Sequence, residues 1–189
     1  GDVGAALTGR GWDSCHVIGH SVGGGVCTLY SAASPAHVRS VVVLDGLGPI
    51  SSTGADTALR LRKSMTVMRR ERNPLRPYDS IDEMVRARRG VSDLSVDAAR
   101  LLCERSARHV GKHFYWRTDP ALNWVSPIVL TDEQVLDCLS NIEAPLLSWI
   151  ATPFASWYSE EKVRASQAAT QYGRHETLAG HHPFHMDAP

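Results

Sequence analysis

The chain has 189 residues, of which 43% are hydrophobic and 21% are charged, and its 20 basic side chains balance 20 acidic ones. Such proportions are typical of one globular domain, and a net charge of zero provides no general attraction to nucleic acid or to an anionic membrane surface. We therefore expect no nucleic-acid partner. No apolar run approaches the about 20 residues that span a bilayer, so we also expect no membrane span.

The predicted elements alternate between helix and strand near both ends of the chain. In order they are a helix over Asp2–Arg10, a strand over Ser14–Ile18, a helix over Ser21–Ala33, a strand over Arg39–Leu44, a strand over Pro145–Ile150, a helix over Ser159–Gln171 and a strand over Arg174–Leu178. Apolar and β-branched runs predict the strands, and Gly11 predicts where the first helix ends. Strands that alternate with helices predict an α/β fold with a mostly parallel sheet.

Residues 51–141 carry helix signals and no convincing strand. Ser80 and Thr131 each begin a capping-box pattern, and Leu59–Arg70 and Val96–Ala107 are further helical runs. We interpret this segment as a helical cap inserted into the sheet domain. The predicted domains are therefore a first core part at 1–50, the cap at 51–141 and a second core part at 142–189.

The most informative motif is Gly-His-Ser-Val-Gly at residues 19–23, between an apolar strand and a helix-like run. A serine at such a tight strand-to-helix turn is a nucleophile elbow, in which the hydroxyl stands above the sheet. We expect the turn to leave no room for a Cβ atom at Gly19 or Gly23. The start of the helix also directs unpaired N–H groups to the place where a negative oxygen would develop.

With its surroundings, this motif resembles the α/β-hydrolase superfamily. The similarity includes the Gly-Trp pair at residues 11–12, the segment Pro35–Arg39 that leads into the strand before Asp45, and the closing segment Gly180–Pro189, which resembles the family's histidine loop. The chain is most similar to bacterial serine-hydrolase-like proteins with a helical cap. The resemblance implies an α/β-hydrolase fold, a cap over the elbow, a Ser–His–acid triad that uses no cofactor, and a small-molecule substrate.

The activating base is expected in the closing loop, since a serine is a weak nucleophile until a base removes its proton. In the resembling family the catalytic histidine lies seven positions before the proline that ends this loop, which selects His182. A shift of one position selects His181 instead. The alternative is a metal site formed by these histidines with His185 and Asp187, but the spacing lacks the H-E-x-x-H helix of zinc sites.

The acid of the triad follows one of two strands in the resembling family. After the later strand, the chain reads Trp149–Ala155 without a carboxylate, whereas Asp45 follows the earlier strand. The resemblance therefore implies that Asp45 is the acid, and an Asp that only caps the turn is the alternative. Glu160 and Glu161 are outside candidates, although acids are expected in the first turn of a helix in any case.

A serine in the elbow limits the predicted chemistry. Family members that open epoxides or displace halide carry a carboxylate there, so the resemblance implies an acyl-enzyme formed on Ser21 from a small ester, thioester or related carbonyl substrate. We expect the Val22 N–H to donate to the oxyanion, and His20 to line the pocket or to support the elbow. Two alternatives share these residues: a ligand-binding or receptor-like homologue without turnover, and a cofactor-free perhydrolase or carbon–carbon bond hydrolase.

Charged and aromatic clusters in the predicted cap allow two interpretations each. The basic residues would attract an acidic substrate or, as we favour, form a solvated helix face; they are Arg60, Arg62, Lys63, Arg69, Arg70, Arg72, Arg76, Arg86, Arg88 and Arg89. The aromatic residues would line the pocket or, as we favour for most of them, fill the core of the cap; they are Phe114, Tyr115, Trp116 and Trp124. Substrate identity and oligomeric state stay open.

The four cysteines, Cys15, Cys27, Cys103 and Cys138, match neither a C-x-x-C motif nor a zinc signature. They predict reduced thiols, a cytoplasmic location and no metal site.

The chain is expected to begin inside its domain. The first strands of the resembling family, with the loop that supplies its second oxyanion N–H, would precede residue 1, and its last helix would follow Pro189. The strand predicted at 14–18 then has an unpaired edge, and the chain is expected to be an internal part of a hydrolase of roughly 270 residues. Because one lost oxyanion donor costs about 100- to 1000-fold in rate, we expect low activity from the isolated segment.

Overall fold

The computed structural model describes residues 1–69, 75–156 and 158–187. In chain order, its helices and strands are α1 (Asp2–Arg10), β1 (Cys15–His20), α2 (Val22–Ala33), β2 (Val38–Leu44), α3 (Thr57–Met68), α4 (Ile81–Arg89), α5 (Val96–Ser106), β3 (Ala107–Val110), β4 (His113–Trp116), α6 (Asp132–Ser140), β5 (Leu146–Thr152), α7 (Glu160–Ala169), β6 (Gly173–Ala179) and α8 (Phe184–Asp187). Gly1–Gly54 and Val129–His182 form one compact unit, and Ala55–Ile128 with the residues after His182 form a second.

The first unit contains a four-stranded parallel sheet in the order β1-β2-β5-β6. His20 at the end of β1 lies beside Leu44 at the end of β2, and Leu44 lies beside Trp149 of β5. Because the strands run in the same direction, the segments that follow them emerge at the same edge of the sheet. The sheet confirms the predicted α/β architecture and brings Ser21 and Asp45, which follow β1 and β2, to neighbouring positions.

β-Branched side chains fill the core of the first unit, as expected for strands of a parallel sheet. Val41 and Val43 of β2 are 1% and 0% exposed, and they belong to the same buried cluster as Leu139 of α6 and Leu146 of β5. By contrast, β1 lies at an edge of the sheet, and its Ile18 is 69% exposed. The strand that leads to Asp45 is therefore enclosed by neighbours on both sides.

The second unit is mainly helical, with α3, α4, α5 and the short α8. Met84 and Cys103 are completely buried in its core, and Phe114 and Trp116 pack against the same cluster. Trp116 also donates a hydrogen bond from Nε1 to the Tyr78 hydroxyl at 3.2 Å. Phe114 and Trp116 thus fill the core of this unit, which is the interpretation that the sequence favoured.

One prediction for this segment is wrong, because residues 107–116 form an antiparallel hairpin of β3 and β4. The hairpin turns at Gly111, whose φ of 62° lies in the left-handed region that glycine adopts freely. Its second strand contains three consecutive aromatic residues, Phe114–Trp116, and aromatic side chains favour extended backbone. The strong helix signals before and after the hairpin concealed it in the sequence.

The two predicted capping boxes differ in the structure. At the start of α6 the box is complete, since the Gln134 N–H donates to Thr131 Oγ1 and the Thr131 N–H donates to Gln134 Oε1. At the start of α4, Ser80 accepts from the Glu83 N–H, but the Glu83 carboxylate accepts from the Asp79 N–H instead. Only half of the second box therefore forms.

The residues just before and just after segment 55–128 lie side by side in the first unit. Ser52 pairs with Thr131 in a parallel bridge, and the Ser52 N–H donates to the Leu130 carbonyl at 3.1 Å. Ser51 also donates a short hydrogen bond to Asp132 Oδ1. The two ends of the long segment 55–128 are thus tied together within the first unit.

Arginines of the second unit form ion pairs at its surface. Arg60 pairs with Asp56 and Arg76 pairs with Glu83, both at 3.0 Å. Arg70 and Arg72 of the predicted basic cluster, and the final Pro189, lie outside the described residues. Among the helices of the described ranges, none is both long and apolar enough to cross a membrane.

Candidate active site

Ser21 occupies the sharp turn between β1 and α2. Its φ of 53° is positive, and its N–H donates to the Leu44 carbonyl at 3.0 Å. Gly19 has no space for a side chain, because a Cβ atom there would lie 2.2 Å from the Gly23 carbonyl oxygen. The backbone thus has the strained strand-to-helix turn that a nucleophile elbow requires.

The expectation for the second elbow glycine is wrong. A Cβ atom on Gly23 would meet no atom within 4 Å. The crowded positions are Gly24 and Gly46: a Cβ on Gly24 would lie 2.5 Å from the Gly46 carbonyl oxygen, and one on Gly46 would lie 2.3 Å from the Ser21 carbonyl oxygen. The segment after β2 therefore packs against the elbow through backbone atoms, and glycine permits this close approach.

Three side chains from distant parts of the chain meet at the elbow. His182 Nε2 lies 2.8 Å from Ser21 Oγ, and His182 Nδ1 lies 2.5 Å from Asp45 Oδ2. The side chain of Asp45 is 1% exposed and that of His182 is 23% exposed. In this arrangement the imidazole can accept the serine proton while the carboxylate accepts a hydrogen bond from the opposite ring nitrogen.

The end of β5 holds Asp45 in addition to His182. Asp45 Oδ1 accepts a hydrogen bond from the Ala151 N–H at 3.0 Å, and the Asp45 N–H donates to the Trp149 carbonyl at 2.8 Å. The φ of Asp45 is 48°, a left-handed conformation that Asp tolerates better than most residues. Both carboxylate oxygens therefore have a hydrogen-bond donor, as a buried carboxylate requires.

The start of α2 places the Val22 N–H directly after Ser21. The N–H groups of Gly24 and Gly25 bond back to the Ser21 carbonyl at 2.9 and 3.3 Å. For the Val22 N–H, the described part of the chain contains no acceptor. An N–H group at this position can donate to a negative oxygen that forms on a carbonyl compound bound at Ser21.

His20, which directly precedes Ser21, contacts the histidine of this cluster. Its Nε2 lies 2.9 Å from the His182 carbonyl oxygen. The two imidazole rings lie 4.6 Å apart between centroids, at an interplanar angle of 40°. His20 therefore touches His182 at both the backbone and the ring.

The rival base and acids lie apart from the cluster. His181 is exposed, and no hydrogen bond joins it to Ser21 among the described residues. Glu160 pairs with Arg164 at 2.5 Å within α7, and Glu161 is exposed in the same first turn. The geometry brings His182 and Asp45, rather than these residues, to Ser21.

The closing loop does not gather its polar side chains around one point. Asp187 Oδ1 accepts a hydrogen bond from the Ser95 N–H at 3.2 Å, within the second unit. Over residues 1–69, 75–156 and 158–187, no three His, Cys, Asp or Glu side chains are grouped as ligands of a metal ion would be. The four cysteines are all free thiols.

Known proteins are similar to this chain in sequence and in fold. The family model described as alpha/beta hydrolase fold matches residues 2–82. A serine hydrolase-like protein from Danio rerio is 31% identical over 160 residues, which are 79% of this chain and 48% of that protein. A hypothetical protein from Pseudomonas aeruginosa PAO1 is 28% identical, and its crystal structure matches with a TM-score of 0.87 over 98% of this chain and 66% of that one. The chain belongs to the α/β-hydrolase superfamily.

Other α/β-hydrolase structures agree with this chain in fold. The thioesterase domain of the curacin biosynthetic pathway has a TM-score of 0.79 at 15% identity, covering 99% of this chain and 67% of that domain. At this identity the likeness concerns the fold alone. The chain spans about half the length of the curated relatives it matches, 48% of the Danio rerio protein and 54% of a serine hydrolase-like protein from Dictyostelium discoideum.

Sequence reasoning missed the groups that hold Asp45 in place. Tyr158 donates from its hydroxyl to the Asp45 carbonyl at 3.5 Å, and burial together with the nearby Asp45 raises the pKa of Tyr158 to about 12. Tyr158 and Gly46 also line a cavity of about 330 Å³, whose lining does not include Ser21 or His182. The Trp149 carbonyl and the Ala151 N–H leave no signature in a sequence, because nearly every residue offers both backbone groups.

Proposed function

We propose that this chain provides the nucleophile, base and acid of a serine hydrolase that cleaves a small ester, thioester or related carbonyl substrate. The observation that carries this proposal is the continuous series of hydrogen-bonding distances from Ser21 Oγ through the His182 ring to Asp45. A serine hydroxyl becomes a competent nucleophile when an imidazole accepts its proton and a carboxylate orients that imidazole.

In the first half of the proposed reaction, Ser21 Oγ attacks the carbonyl carbon of the substrate while its proton moves to His182 Nε2. The carbonyl oxygen gains negative charge and accepts a hydrogen bond from the Val22 N–H. The tetrahedral intermediate then breaks its bond to the leaving alcohol or thiol, which takes the proton from His182. An acyl group remains on Ser21.

In the second half, water attacks the acyl carbon and passes a proton to His182 Nε2. The intermediate releases the carboxylic acid as its bond to Ser21 Oγ breaks, and His182 returns the proton to the serine. Asp45 accepts the Nδ1 hydrogen bond throughout and stabilises the imidazolium in both halves. It stays ionised, so its role is to orient His182 and to balance its charge.

Labelling with a fluorophosphonate probe tests the proposal, because such probes react with serines that a base has activated. The full chain is incubated with the probe, and the modified peptide is identified by mass spectrometry. We expect the label on Ser21, none on Ser21→Ala, and slower labelling of His182→Ala and Asp45→Ala. Ser126→Ala, at an exposed serine, serves as the control and should label as the wild type does.

A folded wild-type chain without label at Ser21, or with its label on another serine, would contradict the proposal and favour a binding role without turnover. Where Ser21 is labelled, turnover of matched oxygen and sulfur esters then identifies the preferred leaving group. The acyl-enzyme itself is detectable as a mass increase on Ser21 in a chain quenched during turnover.

A further inference from the structure

We infer that His20 is a positioning residue, which holds the backbone of His182 and thereby sets the distance between base and nucleophile. The inference rests on the proposed hydrolase function, because it concerns the proton transfer between Ser21 and His182. It extends that function by a residue outside the triad, which acts through His182 and does not itself take part in bond making.

The chemistry of the contact fixes its direction. His20 Nε2 lies 2.9 Å from the His182 carbonyl oxygen, and a carbonyl oxygen can only accept a hydrogen bond. The hydrogen therefore lies on His20 Nε2. In the neutral ring this is the tautomer whose Nδ1 carries no hydrogen.

With this bond, His182 is held at three separate atoms. His20 binds its carbonyl oxygen, Asp45 binds Nδ1, and Nε2 faces Ser21 Oγ at 2.8 Å. A histidine side chain has only two rotatable bonds, so a fixed backbone together with a bond at Nδ1 determines the position of Nε2. Two residues earlier, the Gly180 N–H donates to the Thr152 carbonyl of β5 at 3.1 Å.

The position of His20 in the chain couples the base to the nucleophile. His20 and Ser21 are consecutive, so a movement of the end of β1 carries both the serine and the support of His182. His20 also lies beside Leu44 in the sheet, and Leu44 directly precedes Asp45 in the chain. The separation of base and nucleophile is thus maintained by one short stretch of backbone, and a displacement of about 1 Å at such a site can cost 100-fold in rate.

The ring contact favours an uncharged His20 ring, because His20 lies close to the proposed base. Its centroid is 4.6 Å from that of His182, which gains a positive charge whenever it takes the serine proton. A like charge at this distance would disfavour that charged form. The neutral tautomer that donates from Nε2 provides the hydrogen bond without adding a second cation.

Two substitutions separate the hydrogen bond from the packing of the ring. His20→Gln keeps an amide N–H at the distance of Nε2 along the side chain, whereas His20→Phe keeps a ring of similar size without a donor. His16→Gln and His16→Phe are matched controls on the same strand, where His16 is exposed and bonded to Ser40 Oγ at 2.7 Å. Each variant is checked for its thermal unfolding midpoint before kinetics.

The readout is the second-order rate constant of fluorophosphonate labelling at Ser21, followed by kcat and KM on an ester. We expect His20→Phe to label about 10- to 100-fold more slowly and to lose kcat with KM unchanged. We expect His20→Gln to retain a rate within about threefold of the wild type, since it restores the donor. Equal rates in all variants, or equal losses in His20→Gln and His20→Phe, would overturn the inference.

A measurement that needs no activity accompanies the kinetics. In the wild-type chain with nitrogen-15 histidine, imidazole shifts report the tautomer, and the His20 signals are those missing from His20→Gln. A neutral Nε2–H ring supports the inference, and an Nδ1–H ring overturns it. If the tautomer is as expected but Ser21 never labels, the hydrolase proposal fails while the His20 contact stands. If Ser21 labels but His20 carries its hydrogen on Nδ1, the hydrolase proposal stands and the His20 inference fails.

Discussion

Asp45 and His182, 137 positions apart in the chain, are joined between Oδ2 and Nδ1 at 2.5 Å. The bond connects the segment after β2 with the segment after β6, and β5 lies between these two strands in the sheet. Because the Ala151 N–H of β5 binds the other carboxylate oxygen, the acid is fixed by two neighbours at once. In the proposed reaction, a rigid carboxylate keeps the imidazole in the tautomer that can accept a proton from serine.

Asp45→Asn tests this relationship with almost no change in size. The amide cannot balance the charge on His182, and its NH₂ group can turn the ring to the wrong tautomer, so we expect kcat to fall about 10⁴-fold. The measurement is kcat and KM on an ester substrate, with the exposed Asp13→Asn as control. A loss of less than about tenfold would show that another group serves as the acid.

Alanine at two elbow glycines should give opposite results. In Gly19→Ala the new Cβ lies 2.2 Å from a backbone carbonyl oxygen, so we expect the free energy of unfolding to fall by about 3 kcal/mol or more. In Gly23→Ala the Cβ meets open space within α2, where alanine is the better helix former, and we expect no loss or a gain of about 0.5 kcal/mol. Urea unfolding of both variants measures the difference, and similar losses in the two would refute the crowding that the elbow geometry implies.

A second histidine, outside the site, should make the stability depend on pH. His175 contacts Ser148 Oγ at Nδ1 and Thr170 Oγ1 at Nε2, at 2.7 and 2.9 Å. Burial lowers the pKa of His175 below its ordinary value of 6.5. The unfolded chain therefore binds the proton more readily, so this contribution to stability is complete above about pH 6.5 and declines as the pH falls toward the lower folded value.

We expect His175→Gln to flatten this dependence. The free energy of unfolding, measured by urea titration above and below pH 6.5, should decline less on acidification in the variant than in the wild type. His37→Gln, at an exposed histidine, is the control and should keep the wild-type slope. Identical slopes in His175→Gln and the wild type would exclude His175 as the source of the acid sensitivity.

The raised pKa of Tyr158, about 12, predicts that this phenol ionises late in an alkaline titration. The folded chain holds the Tyr158 proton more tightly than the unfolded chain, so the stability it contributes is complete below the ordinary value of about 10 and is lost between there and about 12. Phenolate absorbance follows the titration. Tyr158→Phe should remove the last step of this titration, and Tyr172→Phe, at a tyrosine that is 60% exposed, is the control and should keep it. A last step that survives in Tyr158→Phe would contradict the burial argument.

Local patterns in the sequence predicted the parts of the site that local backbone determines. The Gly-x-Ser-x-Gly motif predicted the turn at Ser21, since a tight turn needs specific residues at fixed offsets. Counting positions along the closing loop selected His182 but left His181 as an alternative. The fold shows that the His182 ring lies beside Ser21. The catalytic roles themselves remain predictions until the variants above are measured.

The remainder of the site depends on contacts that no short pattern encodes. A Cβ atom on Gly46 would be crowded by the Ser21 carbonyl. These two residues are distant in the sequence and are neighbours because β2 pairs with β1. The donor to Asp45 Oδ1 is the Ala151 backbone N–H, which any residue except proline would supply. Helix signals similarly concealed the β3–β4 hairpin, whose pairing depends on the turn at Gly111.

The bridge between Ser52 and Thr131 has a consequence for how this protein can evolve. Insertions and deletions between those two residues change the length of a segment whose ends stay joined by backbone hydrogen bonds, such as that from the Ser52 N–H to the Leu130 carbonyl. The register of β2 against β5 is set outside this segment, from Val41 beside Leu146 to Leu44 beside Trp149. Related sequences can therefore differ over most of the helical segment while the strands that lead to Ser21 and Asp45 stay aligned.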